Sequence, residues 1–248
     1  MRLLTFSFLK NCKWKAWMQN PRKISSGTVR STVEEKITGD PNLIYIHPSW
    51  KADEEQHLRT AIMTDMQVLP DFVTEAEETS LLAELENIKK YRFDMCEWCT
   101  QAIQGFRETE RSTWSEENAL VMSRVRGAAF SSARAGEALP HVHVLDLAAA
   151  GHIRPHVDAL RFCGEVIAGI SLLSTAVMRL EHAQRPQLRL DALLPQRSLY
   201  IMRGVARYEF THAVCGGAGA PSTWRGAPVP RRRRLALISR SRPPPTAC

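Results

Sequence analysis

The chain of 248 residues lacks any long apolar stretch. A membrane-spanning helix needs about 20 consecutive apolar residues, and the longest candidate here, 166–178, is too short and is interrupted by Gly169, Ser171 and Ser174. Internal repeats are absent as well, and the length suits one sizeable domain with its own core. We therefore expect a chain without a transmembrane segment.

Cysteine pairs with a recognisable spacing are scarce. The chain has six cysteines, which do not form the spacing of a disulfide framework. Cys96 and Cys99 make one isolated C-x-x-C, and without a second pair we expect no zinc site there. Reduced thiols are the simpler account, and they are typical of the cytosol or the mitochondrial matrix.

Acidic residues are missing from both ends of the chain. Residues 1–33 hold seven Lys or Arg and no acid, and 225–242 hold seven Arg and no acid. The segment between them, 34–224, therefore has 33 − 14 = 19 basic residues against all 26 acidic ones, a net charge of −7. Such a body is not a general polyanion binder, so we expect no binding of duplex DNA.

The acid-free N-terminal segment, 1–33, mixes its seven cations with Leu, Phe and Trp. This composition is typical of a mitochondrial presequence, and it lacks the uninterrupted apolar stretch of a secretory signal. The segment predicts import into the mitochondrial matrix. A disordered basic tail and a wrongly assigned start site remain as alternatives.

Helix signals appear in the first half of the chain. Residues 34–65 show no clear periodicity, so they are left unassigned and disorder there stays open. Residues 68–73 have the pattern of a short strand. Thr74 and Glu77 then form a capping box, which predicts a helix reaching about Lys90.

A second helix is predicted from its N-terminal signals. Ser115 can act as the N-cap, and Glu116 and Glu117 are favourable in the first turn, close to the positive end of the helix dipole. Gly127 is expected to end or weaken this helix because glycine is a poor helix former.

Short apolar segments separated by turn residues follow from position 141 onward. They predict strands near 141–148, 153–157, 166–172, 177–182, 187–194, 198–202, 207–212 and 233–239, and a loop over 215–230. Eight short strands in about 100 residues are typical of a β-sandwich or jelly roll. The predicted fold is therefore α+β, mainly β, with the two N-terminal helices packed on one sheet.

The most informative motif is His156-x-Asp158, followed much later by His212. Two imidazoles and one carboxylate can hold one face of an iron(II) ion and leave the other face open. If residues 156 and 158 lie on a strand, they face the same side. The plainer alternative is that both histidines are loop residues near the surface.

Two arginines continue the pattern. Arg234 and Arg240 are six residues apart in a strand-like segment. A long cationic side chain at position 234 could reach the distal carboxylate of an anionic co-substrate. The alternative is that Arg234 belongs to a solvated basic run, 231–234.

These motifs together resemble the AlkB family of iron(II)- and 2-oxoglutarate-dependent dioxygenases, and most closely a mitochondrial member. The resemblance rests on His156-Val-Asp158, the segment 167–173, the segment 198–204, the segment 206–212 and Arg234-x5-Arg240, and it is strengthened by 68–72 and 105–114. It covers 66–242 as one dioxygenase domain, leaving 243–248 as a tail. Residues 1–65 and the Gly- and Ala-rich segment 213–230 depart from the family pattern.

The resemblance implies a double-stranded β-helix with iron(II) held by His156, Asp158 and His212. It implies 2-oxoglutarate as co-substrate, paired with Arg234, and Arg240 close to Asp158. Tyr200 would hydrogen-bond the co-substrate. O₂ would complete the reaction, in which decarboxylation of 2-oxoglutarate is coupled to hydroxylation of a C–H bond.

The substrate is less determined. Family members that repair bases flip them into an aromatic pocket, and five aromatic residues could form such a lid: Tyr91, Phe93, Trp98, Phe106 and Trp114. Packing in a core is the more common role for such residues. Because the body is acidic, we favour a protein side chain as substrate, with demethylation of mitochondrial RNA as the alternative.

A non-catalytic β-sandwich interaction module is a second alternative, although retention of a His/Asp/His set argues against it. We expect a monomer. The resemblance also implies a role in mitochondrial energy and fatty-acid metabolism and in necrotic death after alkylation damage.

Overall fold

The computed structural model describes residues 38–51, 55–86, 92–93 (backbone only), 102–131, 136–217 and 221–244. The predicted presequence, the C-x-x-C pair and the end of the tail lie outside these residues. None of the helices in the described ranges is long and apolar enough to cross a membrane.

The helices and strands alternate in the first half of the chain, and strands dominate the second. The helices are α1 (Gln56–Asp65), α2 (Glu75–Glu86), α3 (Glu116–Phe130) and α4 (Gly204–Tyr208). The strands are β1 (Ile44–Ile46), β2 (Met66–Leu69), β3 (Arg92–Phe93), β4 (Ile103–Arg111), β5 (Val142–His156), β6 (Ile167–Leu172), β7 (Ala176–His182), β8 (Arg185–Leu194), β9 (Leu199–Met202), β10 (Phe210–Val214), β11 (Thr223–Trp224), β12 (Ala227–Pro228) and β13 (Arg234–Arg240).

Eleven of the described strands form one antiparallel sheet. Its order is β1-β8-β7-β10-β5-β13-β6-β9-β2, and β4 joins β5 and carries β3. The remaining two, β11 and β12, pair with each other. A nearly closed antiparallel sheet of this kind is a jelly roll, so the predicted fold class is confirmed.

Two apolar layers follow from the alternation of side chains along the strands. On β5, Leu145 and Leu147 belong to the interior cluster of the jelly roll, while Val142 and Val144 belong to an outer cluster. That outer cluster contains residues of α2 and α3 together with β5, β6, β9 and β13. The two predicted helices therefore pack on one sheet, as expected.

The helix caps agree with the sequence signals. The Glu77 backbone N–H donates to Thr74 Oγ1, and the Thr74 N–H donates to the Glu77 carboxylate, which completes the capping box. Ser115 Oγ accepts from the N–H of Asn118 at the start of α3. Gly127, however, does not end α3, which continues to Phe130. A glycine costs about 1 kcal/mol in a helix, and burial of Val125 and Ala129 outweighs it.

One predicted strand break is wrong. Segments 141–148 and 153–157 form a single strand, β5, that continues through Gly151. Gly151 is there because β4 comes very close: a Cβ at this position would lie 2.5 Å from the carbonyl oxygen of Gly105. Gly105 itself has φ of 64° and lies where the register of β4 shifts. The glycine therefore marks a close backbone approach rather than a turn.

The segment 207–212 is also corrected. It begins inside α4, and the strand β10 starts only at Phe210. The Asp65 carboxylate accepts from the N–H of Val205 and so caps the short helix. Arg207 is buried and donates to the carbonyl oxygens of Cys163 and Gly164. These contacts come from distant parts of the chain, so no local pattern announces them.

Order also extends beyond the predicted elements. Residues 34–65 contain β1 and α1 in their described part, which corrects the open possibility of disorder there. Strand β1 pairs with β8, and His47 bonds the buried Asp191 across 2.9 Å. The predicted loop 215–230 contains the short hairpin of β11 and β12. Tertiary pairing supplies the order that periodicity in these segments lacks.

Candidate metal centre

His156 and His212 face each other across one strand pair. They are direct register partners in the antiparallel pairing of β5 and β10, and their ring centroids are 4.2 Å apart. His156 is the last residue of β5, whereas His212 lies in the middle of β10. The sheet therefore brings together two imidazoles that are far apart in the sequence.

Asp158 completes the group from a loop. Its Oδ1 lies 3.3 Å from His156 Nε2 and 3.8 Å from His212 Nε2. The three candidate ligand atoms all lie within 4.8 Å of one another. Because β5 ends at His156, the alternation of side chains along a strand does not orient Asp158. The expectation that residues 156 and 158 face the same side of one strand is therefore wrong. A contact with Arg240 orients Asp158 instead.

The surroundings of the two histidines favour metal binding. His156 Nδ1 lies 2.9 Å from the carbonyl oxygen of Arg154; a carbonyl only accepts, so Nδ1 carries the proton and Nε2 keeps its lone pair. Burial and the neighbouring His156 lower the pKa of His212 to about 3. His212 is therefore in the neutral form that binds metals, and His156 presents Nε2 toward the same point.

The Asp158 carboxyl is held ionised. Burial alone would raise its pKa, but the close His156 imidazole and the charge of Arg240 hold the pKa well below its ordinary value. Arg240 Nε donates to Asp158 Oδ2 across 2.7 Å. That bond occupies one oxygen and leaves Oδ1 facing the imidazoles. Two neutral imidazoles and one carboxylate oxygen are the donor set that suits iron(II) with open positions.

Arg234 lies in the interior with unused hydrogen-bonding capacity. Its side chain is buried, and Nε donates to Ser171 Oγ across 3.0 Å. Its Nη2 has no hydrogen-bond partner among the described residues, and burial lowers the pKa of the guanidinium. An unpaired buried donor on a cation is costly. The carboxylate of a 2-oxoglutarate molecule would satisfy it, so these residues fit the co-substrate.

The rest of the basic run 231–234 is engaged elsewhere. Arg231 donates to the backbone oxygens of Cys215 and Gly151. Arg233 pairs with Asp146, which lies on the outer face of β5. Within the run Arg234 is the one buried arginine. The alternative of a solvated basic run therefore does not describe Arg234.

Tyr200 borders the same interior region. It lies on β9, and its ring covers Gly169 so closely that a Cβ there would be 2.4 Å from the ring. Burial raises the pKa of its phenol, although the charge of Arg234 opposes this. The hydroxyl therefore stays protonated at neutral pH and can donate a hydrogen bond.

A cavity of about 420 Å³ opens beside the candidate ligands. Its lining comprises Glu110, Leu139, His141, His143, Asp158, Ala159, Phe162, Cys163 and Arg240. Leu160 and Phe162, on the loop after Asp158, are 51% and 61% exposed. No sequence pattern points to these loop residues or to His143, because their significance depends on partners from other strands.

The candidate aromatic lid is described only in part. Phe106 is buried in the interior cluster, and Trp114 packs against the outer cluster with the Arg111 guanidinium over its ring. These two are core residues, in agreement with the more common role. The side chains of Tyr91, Phe93 and Trp98 lie outside the described part of the structure.

The sequence profile of the "2OG-Fe(II) oxygenase superfamily" matches residues 147–237, a range that includes His156, Asp158, His212 and Arg234. Two solved structures share the fold. "The structure of OsALKBH1" superposes with a TM-score of 0.52 at 13% identity, covering 71% of this chain and 98% of that one. A Pseudomonas putida prolyl-4-hydroxylase gives 0.51 at 16% identity, covering 74% and 96%.

Two curated relatives are much more similar in sequence. The mouse (Mus musculus) protein named "Alpha-ketoglutarate-dependent dioxygenase alkB homolog 7, mitochondrial" is 41% identical over 211 residues, or 81% of this chain and 93% of the mouse protein. The cattle (Bos taurus) protein of the same name is 46% identical over 177 residues, covering 71% and 78%.

The fold and the matched profile define a 2-oxoglutarate- and Fe(II)-dependent oxygenase with a double-stranded β-helix. Within that superfamily the chain belongs to the AlkB family, as a dioxygenase related to AlkB homologue 7. Fe(II), 2-oxoglutarate and O₂ are the cofactor and co-substrates of this class.

Proposed function

We propose that this chain is a mitochondrial dioxygenase that hydroxylates a protein side chain at a centre held by His156, Asp158 and His212. The proposal rests above all on the convergence of these three ligand atoms within 4.8 Å. A bound iron(II) ion would supply C–H oxidation coupled to conversion of 2-oxoglutarate and O₂ into succinate and carbon dioxide. The chain's own residues bind, orient and shield the reactants.

Roles for the remaining site residues follow from their surroundings. Arg234 would pair with the distal carboxylate of 2-oxoglutarate through its unpartnered Nη2. Tyr200, a protonated phenol on strand β9, would donate a further hydrogen bond to the same molecule. Arg240 would hold Asp158 so that a single oxygen faces the metal.

Apolar exposure at the mouth of the site supports a protein substrate. Leu160 and Phe162 lie two and four residues after Asp158, and they are two of the three large hydrophobic side chains that are exposed among the described residues. Exposed apolar residues beside a cavity are typical of a surface that contacts another molecule. A peptide segment could cover this loop while one side chain enters the cavity.

The charges also favour protein over nucleic acid. Binding to a phosphate backbone needs several free cations. In the arginine-rich segment 225–242, Arg231 bonds backbone carbonyls, Arg233 pairs with Asp146, Arg240 with Asp158 and Arg242 with Glu137. Most of the segment's charge is therefore already engaged within the protein.

Mitochondrial RNA remains the second candidate, because of one specific contact. The Arg161 guanidinium lies 4.5 Å from the centre of the exposed Phe162 ring. An exposed ring with an adjacent cation can stack on a base. Oxidative demethylation of a methylated base would use the same centre.

Location and cellular role extend the proposal. The acid-free segment 1–33 and the word "mitochondrial" in the names of both relatives support import into mitochondria, with the matrix as the compartment. A role in energy and fatty-acid metabolism and in necrotic death after alkylation damage is part of the proposal on the family resemblance alone. We further propose that the chain acts as a monomer.

Succinate release tests the substrate class. Purified enzyme is supplied with 2-oxoglutarate and either matrix peptides or mitochondrial transfer RNAs, and the products are analysed by mass spectrometry. We expect peptides to stimulate succinate release and to gain one oxygen atom. Stimulation by methylated RNA alone, with loss of the methyl group, would reverse the ranking.

A matched pair of variants tests the apolar loop. Phe162→Ser should raise the apparent KM for the peptide substrate, because it removes an exposed contact at the mouth. Leu120→Ser is the control, since Leu120 is comparably exposed, at 67%, but lies on α3. Equal effects of the two substitutions on KM would rule out a special role for the loop.

A further inference from the structure

A chain of polar contacts leads from Asp158 to strand β4. Arg240 Nε donates to Asp158 Oδ2 across 2.7 Å, and Arg240 Nη1 lies 3.4 Å from His143 Nδ1. His143 Nε2 in turn lies 2.8 Å from Glu108 Oε2. The contacts join four side chains from three strands and one loop, and only Asp158 and Arg240 have a role in the proposed function.

The protons along this chain are determined by the chemistry of its members. A guanidinium has donors and no acceptor, so His143 Nδ1 can only accept from Arg240. The proton of the neutral imidazole then lies on Nε2, which donates to the Glu108 carboxylate. The two neighbours of His143 thus select one tautomer, as partners commonly do for histidine.

Asp158 depends on this chain because no strand fixes it. Its loop begins directly after His156, and the carboxylate has no sheet register to orient it. Arg240 is the last residue of β13, and its long side chain loses about 2 kcal/mol of conformational entropy when it is ordered. A second anchor on the guanidinium limits its rotation. His143 provides that anchor from the neighbouring strand β5.

We propose that His143, oriented by Glu108, is a positioning residue that holds the Arg240 guanidinium against Asp158 Oδ2 and so keeps Oδ1 aimed at the metal. The inference rests on the proposed function, in which Asp158 is a metal ligand. The distance from Arg240 Nη1 to His143 Nδ1, 3.4 Å, is long for a hydrogen bond, so His143 acts by orienting the guanidinium rather than by bond strength. Partners of this kind are worth about 10- to 100-fold in metal affinity.

A purely structural role for the His143–Glu108 pair makes a different prediction. The pair joins adjacent strands β4 and β5, and cross-strand pairs contribute to sheet stability by themselves. In that case the contact with Glu108 alone would matter. In the positioning role the contact with Arg240 matters as well, and it can be tested separately.

Two amide substitutions separate the contacts. In His143→Asn the amide oxygen takes the place of Nδ1 and can still accept from Arg240. In His143→Gln the amide lies at the place of Nε2 and can reach Glu108 instead. Mn(II) affinity, measured by calorimetry on protein free of iron, and the visible spectrum of bound Co(II), which reports ligand geometry, are the readouts.

We expect His143→Ala to weaken Mn(II) binding by about 10- to 100-fold and to alter the Co(II) spectrum. His143→Asn should recover most of the affinity, and His143→Gln should not. Glu108→Ala should also weaken Mn(II) binding, and this variant tests the proposal if His143→Ala fails to fold. Recovery by Gln and not by Asn, or native affinity in both His143→Ala and Glu108→Ala, would overturn the proposal.

Arg107→Ala is the matched control. Arg107 precedes Glu108 on β4, and it pairs with Asp146 on the opposite face of the sheet. Its loss removes a β4–β5 ion pair without touching the polar chain, so thermal stability should fall while Mn(II) affinity stays native. Equal loss of affinity in this variant would also overturn the proposal. Asp158→Ala separates failure of this proposal from failure of the proposed function. Native Mn(II) affinity in Asp158→Ala would refute the assignment of Asp158 as a metal ligand.

Discussion

His212 on β10 is the direct register partner of His156 on β5. The pairing places one imidazole at the end of its strand and the other in the middle of its own. Because the two strands are hydrogen-bonded neighbours, the separation of the rings is set by sheet geometry, and a metal bound between them would contact a rigid pair. The third candidate ligand, Asp158, is held by side chains instead, so its position is more sensitive to substitutions of neighbouring residues than the positions of the two histidines.

Asp158→Ala should abolish measurable binding of Mn(II), because two neutral imidazoles supply neither the charge nor the three-point geometry of the site. Calorimetric titration of iron-free protein measures this. Asp146→Asn is the control, since Asp146 is also a buried, arginine-paired carboxylate but lies on the outer face. Unchanged Mn(II) affinity in Asp158→Ala would reject the ligand assignment.

Arg234→Lys should raise the apparent KM for 2-oxoglutarate by roughly tenfold, or about 1.4 kcal/mol, while Mn(II) affinity stays nearly native. A lysine cannot reproduce the planar, two-pronged contact of a guanidinium with a carboxylate. Succinate release at varied 2-oxoglutarate gives the KM. Arg232→Lys, at an exposed position of the same run, should leave the KM for 2-oxoglutarate unchanged. A larger effect at position 232 than at position 234 would show that Arg234 is not the arginine that pairs with 2-oxoglutarate.

Gly169→Ala should destabilise the protein by about 1–3 kcal/mol, because the new methyl group collides with the Tyr200 ring. Urea unfolding measures the free energy. In a Tyr200→Ala background the same substitution should cost much less, since the colliding ring is gone. Additive effects of the two substitutions would mean that the ring does not limit the space at position 169.

Glu77→Gln should lower the free energy of unfolding by about 1 kcal/mol at pH 7, the usual value of a helix cap. The hydrogen bond from Arg124 and the N–H of Thr74 lower the pKa of Glu77 to about 2, although burial opposes this. A lowered carboxyl pKa stabilises the fold above the unfolded value, about 4.3, and this contribution is lost as pH falls toward 2.

The difference between native and Glu77→Gln protein should therefore shrink when unfolding is measured at pH 5, 4 and 3. Glu75→Gln, in the first turn of the same helix, controls for the general loss of a negative charge near the helix N-terminus. A difference that stays constant over this range would argue against the carboxylate as its source.

A fusion of residues 1–33 to a fluorescent reporter should enter mitochondria, because the segment combines seven cations with apolar residues and lacks acids. Microscopy and the size of the mature protein on a gel are the measurements. A second fusion, with the seven Lys and Arg replaced by Gln, should remain cytosolic. Cytosolic signal from the unaltered fusion would refute the predicted presequence.

Local patterns in the sequence determined a good part of this protein. Alternating and continuous apolar segments located β6, β7, β9 and β13, because a strand that faces a core must be apolar at fixed intervals. The capping signals at Thr74 and Ser115 located the starts of α2 and α3, because the bonds that cap a helix are formed within one turn. The order of His156, Asp158, His212, Arg234 and Arg240 carried the family resemblance.

Tertiary structure decided what local patterns do not encode. Gly151 is an uninterrupted strand residue because β4 passes against it, and α4 exists because Asp65 and Arg207 make contacts over long distances in the chain. The site follows the same rule. Sequence spacing supplied the candidate ligands, and the resemblance implied that Arg240 lies near Asp158. Only the packing of separate strands and a loop shows that Arg240 donates to Asp158 Oδ2 and that His143 and Glu108 lie behind it.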